Sequence, residues 1–281
     1  RFKEYNLERL MVSNRFVFFE CDIRDKVLVA EIFNNERPDV VIHLAAKAGV
    51  RPSIENVSDY YDVNINGTLN LLENMRKSGV SKLVFASSSS VYGNNEKVPF
   101  SEDDVVDYPI SPYAATKKSG ELLCHVYSSL YGFDISCLRF FTVYGPRQRP
   151  DLAIHKFTRL IDQGRPLPFY GDGNTARDYT YISDIINGIS GALGSLSGYN
   201  IYNIGEARVI KLKELISTIE AVVGKPAILD YQPLQAGDVQ KTYADITKAK
   251  KEIGYKPAID FEPGIRSFVE WYKEYNSILY N

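Results

Sequence analysis

The sequence predicts an α/β fold, a doubly wound parallel sheet followed by a smaller C-terminal lobe. First, strand-like and helix-like segments alternate along the first two-thirds of the chain. Second, Asp39–Leu44 is a predominantly apolar run, as is typical of a strand buried on both faces of a parallel sheet. Third, the elements become shorter after Pro146, and glycine and proline recur between them. The last observation predicts the separate lobe.

Each element of the predicted sheet follows from its local pattern. Gly79 is a stop signal for one helix, and Pro112 suits the first turn of the next. A last amphipathic helix, from residue 263 to about 276, carries Trp271, the only tryptophan. Repeated β-α units require right-handed crossovers and place the ligand at the carboxyl ends of the strands. The predicted strands are 16–19, 39–44, 82–86 and 134–141, and the predicted helices between them are 27–34, 60–77 and 112–131.

The domain organisation is predicted to change near residue 146. Residues 1–146 form a Rossmann-like domain, and residues 147–281 form mainly the smaller lobe, with some segments returning to the main sheet. A domain of this kind normally opens with a strand, a Gly-rich turn and a helix, whose N–H groups hold a pyrophosphate. No Gly-x-x-Gly-x-x-Gly precedes Asp22, and the first glycine is Gly49. We therefore expect this sequence to lack the first β-α-β unit, about 30 residues or more.

Composition argues against several classes of protein. With 281 residues, of which 44% are hydrophobic, the chain can bury a sizeable core. The formal net charge is −2 and no basic run occurs, which argues against nucleic acid as a partner. No apolar run reaches membrane-spanning length, so no membrane partner is expected. The three cysteines (Cys21, Cys124 and Cys137) show neither metal-ligand nor disulfide spacing, which predicts free thiols, no metal and a cytoplasmic location.

Tyr113 and Lys117 are the most informative residues of the chain. They lie four residues apart on a predicted helix, and therefore on one face of it. An ammonium beside a phenol favours the phenolate, so Tyr113 can act as a base nearer neutral pH. The serine run 87–90 ends the preceding strand and can bring a hydroxyl to the same point. These groups suit removal of a proton from a sugar hydroxyl, although alone the pair could also be an exposed helix face.

Further motifs extend over nearly the whole chain. They are CDIRD at 21–25, IHLAA at 42–46, VNINGT at 63–68, FASSSSVYG at 85–93, SPYAATK at 111–117, LRFFTVYGPRQRPD at 138–151, GDGNTARDYTYISD at 171–184 and QAGDVQKTYADITKA at 235–249. Together they resemble the extended short-chain dehydrogenase/reductase family of nucleotide-sugar epimerases and dehydratases. The resemblance implies NAD as the cofactor, bound by residues 1–146, and a UDP-sugar as the substrate, bound mainly by the lobe. It also implies a homodimer through helices 60–77 and 112–131.

The same resemblance assigns roles to individual residues. Tyr113 would be the catalytic base, Lys117 its pKa-lowering partner and a ligand of the nicotinamide ribose, and Ser88 the bridge to the substrate hydroxyl. The implied cofactor-binding residues are Asp22, Ile23, Leu44, Ala45, Ala46, Lys47, Asn64, Tyr113, Lys117 and Phe141. The implied substrate-binding residues are Ser88, Ser89, Thr142, Arg149, Tyr170, Arg177, Gln235 and Asp238. Arg177 would pair with the diphosphate and Tyr170 would stack on uracil, although a surface salt bridge and core packing are plainer interpretations.

Two departures within the motifs indicate the reaction and the sugar. Ser89 and Ser90 stand where related dehydratases carry Asp-Glu, so a 4,6-elimination would lack its general acid and base. Related decarboxylases also tend to keep a glutamate there. Thr142 replaces the asparagine usual in UDP-galactose epimerases, and with Arg149 and Gln235 it resembles UDP-glucuronate 4-epimerases. A hydroxyl donor and an arginine suit a carboxylate at sugar C5.

The sequence therefore favours NAD-dependent epimerisation at C4, from UDP-glucuronate to UDP-galacturonate, through a transient 4-keto intermediate. One alternative is a 4-epimerase of UDP-glucose or UDP-N-acetylglucosamine. The second alternative, should the Gly-rich loop be truly absent, is a nucleotide-sugar-binding module without turnover.

Overall fold

A computed structural model describes residues 2–233 and 239–280 of the chain. Its helices are Phe2–Met11 (α1), Lys26–Glu36 (α2), Val50–Glu55 (α3), Val57–Tyr61 (α4), Gly67–Ser78 (α5), Pro112–Tyr131 (α6), Ala153–Asp162 (α7), Ile182–Gly194 (α8), Leu212–Val223 (α9), Thr247–Ile253 (α10) and Phe261–Tyr280 (α11). Its strands are Val41–His43 (β1), Lys82–Ser88 (β2), Asp134–Phe140 (β3), Thr142–Tyr144 (β4), Pro166–Tyr170 (β5), Ala176–Arg177 (β6), Tyr179–Tyr181 (β7), Tyr199–Ile204 (β8), Ile210–Lys211 (β9) and Ile228–Gln232 (β10). A π-helical turn, Asp62–Asn66, joins α4 to α5, and a 3₁₀ turn, Ser89–Tyr92, follows β2.

The main sheet is parallel and covered on both faces, which confirms the predicted fold class. Among the described strands its order is β1-β2-β3-β8, and every neighbouring pair is parallel. Along β2, Leu83 and Phe85 pack with α2, α5 and α6, whereas Val84 packs with α8 and α10 on the opposite face. Strand side chains alternate between faces, so a strand buried on both sides must be apolar throughout. The division of the chain at residue 146 stays a prediction, and β8 joins the main sheet from beyond it.

A third apolar cluster forms the core of the smaller lobe. It joins α7, α9 and α11 through residues such as Ile154, Ile216 and Phe268, all of which are almost fully buried. Trp271 belongs to this cluster. Among the described residues, no helix is both long and apolar enough to cross a membrane.

Two predicted elements differ in the structure. Residues 16–19 form no strand, and Phe18 and Phe19 are substantially exposed. A strand requires a hydrogen-bonded neighbour, and within the described ranges none pairs with this segment. The predicted helix 60–77 is interrupted by the π-helical turn, a feature frequent at functional sites.

Helix α6 begins and ends at the predicted residues because both ends carry strong signals. The Ser111 side chain caps its start by accepting a hydrogen bond from the Ala114 N–H, and Pro112 occupies the first turn. Gly132 ends it in the left-handed region, with φ of 68°. Gly120 allows a close approach to the sheet, because a Cβ there would lie 2.3 Å from Phe85 Cζ.

Candidate active site

Tyr113 lies in the first turn of α6 and is held by the segment 50–61. Its backbone N–H donates to Ser53 Oγ at 3.1 Å, and Ser53 is fully buried. The Tyr60 ring meets the Tyr113 ring edge-on, with centroids 6.3 Å apart, and the Tyr60 hydroxyl donates to the Ala48 carbonyl. Ser53 therefore holds the Tyr113 backbone, and Tyr60 packs against its ring. Sequence reasoning missed both residues, since neither belongs to a motif of reactive groups.

The surroundings of the Tyr113 phenol have opposing effects on its pKa. Burial raises the pKa of Tyr113 above its ordinary value, whereas a hydrogen bond with Ser88 and the positive charge of Arg149 act to lower it. Ser88 is thus close enough to share a proton with the phenol, which is the role predicted for it. Burial is the largest of these effects, so the pKa of Tyr113 is raised overall in this environment.

Lys117 lies one turn beyond Tyr113 on α6 and is buried. Its Nζ donates to the Ala86 carbonyl at 2.6 Å, and burial lowers the pKa of Lys117 to about 8. At neutral pH the group is still mainly an ammonium, so it can supply positive charge at the end of β2. Its predicted effect on the pKa of Tyr113, and its contact with a ribose, stay predictions.

The serine run at the end of β2 divides between the two faces of the sheet. Ser87 Oγ donates to the buried carboxylate of Glu121 at 2.6 Å. Ser88 Oγ lies on the opposite face and donates to Ser90 Oγ at 3.1 Å. Ser89 and Ser90 line a cavity. Strand alternation therefore separates a structural serine from those that face the site.

Two cavities meet at Arg177. The inner cavity, of about 160 Å³, is lined by Arg177, by apolar residues and a glycine, and by five hydroxyl-bearing residues: Ser89, Ser90, Ser111, Thr142 and Thr242. The outer cavity, of about 220 Å³, contains Tyr170, Arg51, Lys156 and again Arg177. Arg177 is the residue that lines both of them. One cavity therefore offers hydroxyl donors and the other an aromatic ring, with a guanidinium between them.

Tyr170 in the outer cavity already has a cationic neighbour. The Arg51 guanidinium carbon lies 5.2 Å from the centre of the Tyr170 ring, a cation–π distance. Tyr170 also ends β5, where it pairs with Gln232 of β10. Arg51 also lines the outer cavity.

The end of β1 forms an open edge suited to a dinucleotide. Leu44 and Ala45 are exposed, and Ala46 is half-buried. Asn64, in the π-helical turn, accepts a hydrogen bond from the Lys47 N–H at 2.8 Å and donates to the Lys47 carbonyl at 3.0 Å. Small side chains let a cofactor approach the backbone, and Asn64 satisfies the polar groups behind it. This edge is therefore compatible with the predicted cofactor, and its contacts with the cofactor stay a prediction.

The remaining predicted cofactor-binding residues differ in their burial and contacts. Ile23 packs so closely on α5 that a Cβ at Gly67 would lie 2.6 Å from Ile23 Cδ1. The Asp22 carboxylate, which lies beside Ile23, is 2.7 Å from the Arg24 guanidinium, and this hydrogen bond holds the pKa of Asp22 near 2. Phe141 is buried against Tyr92, so any cofactor contact it makes would involve few side-chain atoms.

Four of the eight predicted substrate residues line the two cavities: Ser89, Thr142, Tyr170 and Arg177. Arg149 is about half exposed, and its guanidinium forms an ion pair with Asp151 at 2.8 Å. Gln235 and Asp238 lie outside the described residues. Ser90 joins the inner cavity although it was not among the predicted ligands. Its place in the serine run next to Ser89 was the signal that could have identified it.

Comparison with known proteins identifies the family of this chain. A family model described as GDP-mannose 4,6 dehydratase matches residues 2–268. The chain therefore belongs to this family, within the extended short-chain dehydrogenase/reductases that its motifs predicted. The UDP-glucuronate 4-epimerase of Thermodesulfobacterium geofontis is 47% identical over 273 residues, which cover 97% of this chain and 84% of that protein.

Solved structures agree as well. A UDP-glucuronic acid 4-epimerase from Bacillus cereus, in complex with UDP-glucuronic acid and NAD, matches with a TM-score of 0.91 and 37% identity, over 97% of this chain and 86% of that one. A UDP-glucose 4-epimerase from Thermus thermophilus, in complex with NAD, matches with a TM-score of 0.88 and 34% identity, over 95% of this chain and 88% of that one.

Proposed function

We propose that this chain catalyses NAD-dependent epimerisation at C4 of UDP-glucuronate, giving UDP-galacturonate through a 4-keto intermediate. The observation that carries the proposal is Arg177, which lines both cavities. A UDP-sugar consists of a base and ribose, a diphosphate and a sugar in that order. Tyr170 in the outer cavity suits the base, Arg177 the diphosphate, and the hydroxyl-lined inner cavity the sugar. The similarity to UDP-glucuronate 4-epimerases supports the same assignment.

The chemistry requires a base, a proton path and a hydride acceptor. NAD, when bound, supplies reversible hydride transfer at C4. Tyr113 Oη, as the phenolate, receives the proton of the 4-hydroxyl, either directly or through Ser88 Oγ. After the 4-keto sugar has rotated in the inner cavity, Tyr113 returns the proton to the 4-oxygen. Lys117 contributes positive charge near the phenolate, which stabilises the base form.

The inner cavity favours epimerisation over dehydration, although the family model carries a dehydratase description. Elimination of water needs a carboxylic acid and a carboxylate, or equivalent groups, beside the departing hydroxyl. Ser89 and Ser90 supply neutral hydroxyls instead. Epimerisation needs only the Tyr113 base and the hydride acceptor, so the residues present are sufficient for it.

A uronate is the sugar that the inner cavity suits best. The hydroxyls of Ser89, Ser90 and Thr142 can donate to a carboxylate, and Arg149 lies near enough to influence the Tyr113 phenol electrostatically. The experiment that tests the proposal is a parallel assay of the purified protein with UDP-glucuronate, UDP-glucose and UDP-N-acetylglucosamine. A clear preference for UDP-glucuronate supports the proposal, a preference for either neutral sugar favours the alternative epimerase, and no turnover of any contradicts both.

Thr142→Ala is expected to raise the yield of decarboxylated product. The 4-keto uronate is a β-keto acid and loses CO₂ readily when its carboxylate can rotate. Removal of one hydroxyl donor loosens the carboxylate, and the loss of one hydrogen bond to a charged group corresponds to about tenfold. The measurement is the ratio of UDP-galacturonate to decarboxylated UDP-sugar by chromatography. An unchanged ratio would exclude Thr142 as a restraint.

We also propose a cellular location and an assembly for this protein. We place the protein in the cytoplasm because its cysteines are free thiols. We propose a homodimer through α5 and α6 because the outer face of α6 exposes Leu122, Val126 and Leu130, four residues apart. Leu69 of α5 is also exposed.

Leu130→Glu is expected to convert the proposed dimer to a monomer. Leu130 is 67% exposed, so a charge there leaves the fold intact but would be buried without a partner in an α6–α6 interface. Light scattering after size exclusion measures the mass. The matched control is Ile186→Glu, which places the same charge on an exposed position of α8. A monomeric wild-type protein would refute the proposed assembly.

A further inference from the structure

The loop between β4 and α7 adopts a conformation that needs support. It begins at Gly145, with φ of 140°, and continues through Arg147, a non-glycine residue with φ of 68°. This left-handed conformation is unfavourable for a residue with a long side chain and persists only where surrounding contacts hold it. Arg149, a predicted sugar ligand, lies two residues further on.

Gln148 supplies that support from inside the loop. Its amide nitrogen Nε2 donates to the Val143 carbonyl at 2.9 Å. Its amide oxygen Oε1 accepts from the His155 backbone N–H at 3.2 Å. One side chain therefore joins the strand before the loop to the helix after it. The half-buried carboxamide donates through its nitrogen and accepts through its oxygen at the same time.

His155 anchors the other side of this connection. Its Nδ1 lies 2.7 Å from the Gln148 backbone carbonyl, which can only accept, so Nδ1 carries the proton and donates it. Burial lowers the pKa of His155, which keeps the ring neutral. The ring is fully buried against Phe268 and Trp271 of α11, with centroid distances of 5.4 and 5.7 Å. The loop is thus attached to the rigid core of the lobe.

The two residues proposed to hold the uronate lie on either side of this connection. Thr142 directly precedes Val143, whose carbonyl Gln148 holds, and Arg149 directly follows Gln148. We propose that Gln148 is a positioning residue that sets the separation of Thr142 and Arg149 and so confers affinity for a uronate. The inference rests on the proposed function of the site. It adds the residue that makes the two contacts act together.

Binding measurements separate this role from a general effect on the site. Gln148→Glu keeps the size of the side chain and the oxygen that faces the His155 N–H. The carboxylate has no donor for the Val143 carbonyl and repels it, so the loop shifts. We expect the Kd for UDP-glucuronate to weaken about tenfold, as for one hydrogen bond lost to a polar group. The Kd for UDP, which has no uronate, should stay unchanged in the same calorimetric titrations.

Controls distinguish the proposal from charge and folding effects. Gln163→Glu makes the same change at an exposed glutamine at the end of α7, and both affinities should stay at the wild-type value. Gln148→Met fills a similar volume and adds no charge, and it should also weaken the binding of UDP-glucuronate. If Gln148→Glu lowers the melting temperature, the affinity of Gln148→Met is the result that tests the positioning role. His155→Asn, whose amide nitrogen can replace Nδ1–H, should retain more affinity for UDP-glucuronate than His155→Leu.

The outcomes lead to distinct conclusions. Wild-type affinity for UDP-glucuronate in both Gln148 variants, or equal weakening of UDP and UDP-glucuronate, would overturn the positioning role. A wild-type protein that binds UDP-glucuronate no more tightly than UDP would overturn it as well. The proposed function fails separately, if the wild-type protein binds UDP-glucuronate but does not convert it.

Discussion

Replacing Tyr113 with phenylalanine is expected to lower kcat for the proposed epimerisation by about 10²- to 10⁴-fold, the usual contribution of a general base. The change removes only the phenolic oxygen, which as the phenolate accepts the proton of the 4-hydroxyl. The ring should keep its edge-on packing against Tyr60 and its backbone bond to Ser53, so folding should be preserved. Binding of UDP, which does not involve the phenol, should also be preserved.

The pH dependence gives a second test of the same residue. Burial raises the pKa of Tyr113, so the phenolate becomes more abundant as pH rises, and wild-type kcat/KM should rise with it from neutral pH. Tyr113→Phe should lack this rising limb. Tyr108→Phe removes a hydroxyl from a side chain that is 82% exposed and should leave both kcat and the pH profile unaltered. Substantial turnover by Tyr113→Phe would show that another group is the base.

Replacing Glu121 with glutamine is expected to lower the free energy of unfolding by about 3–5 kcal/mol, the cost of breaking a buried ion pair. Glu121 and Arg139 are each only 1% exposed. The Arg139 Nε donates to Glu121 Oε1 at 2.9 Å, and Nη2 donates to Oε2 at 3.0 Å. The substitution leaves the Arg139 cation buried without its counter-charge, which is costly in a medium of low dielectric constant.

Urea-induced unfolding measures this effect. The control is Glu262→Gln, which breaks an exposed Glu–Arg pair with Arg266, also at 3.0 Å, and should change stability far less. A loss below about 1 kcal/mol for Glu121→Gln would mean that the buried pair does not carry the expected energy. Because Ser87 Oγ also donates to Glu121, the change should disturb the end of β2, where Ser88 lies.

The buried pair shows why the catalytic groups keep their spacing. Glu121 lies on α6, one turn beyond Lys117, and Arg139 lies on β3. Arg139 also donates to the Tyr92 hydroxyl at 2.9 Å, which connects it to the 3₁₀ turn that contains Ser89 and Ser90. The helix that carries Tyr113 is thereby connected to two neighbouring strands and to the serine turn by charge-assisted hydrogen bonds, which are directional.

Local patterns predicted the parts of this molecule that depend on short-range physics. The caps Ser111 and Gly132 define α6, and the spacing of four residues places Tyr113 and Lys117 on one face. The apolar run Asp39–Leu44 predicted a parallel strand, and Val41–His43 is one, but it is not covered on both faces as expected, because Ile42 is 42% exposed. Motif resemblance then predicted the family, which comparison confirmed.

Long-range placement could not be predicted in this way. Strand-like residues 16–19 form no strand, because a strand exists only where a neighbour pairs with it. The spacing of Lys117 did not reveal that its Nζ donates to the Ala86 carbonyl, a contact that depends on the close packing of α6 on β2 at Gly120.

The sequence by itself therefore determined the fold class, through periodicity and capping within single elements, and the family, through its motifs. It also proposes Tyr113, Lys117 and Ser88 as the catalytic set. Only the tertiary structure decided that Arg177 joins two cavities and that Gln148 connects the loop of Arg149 to His155. Those contacts join separate segments of the lobe. Such segments meet only after the apolar clusters have formed, and no local pattern encodes which polar groups will then face one another.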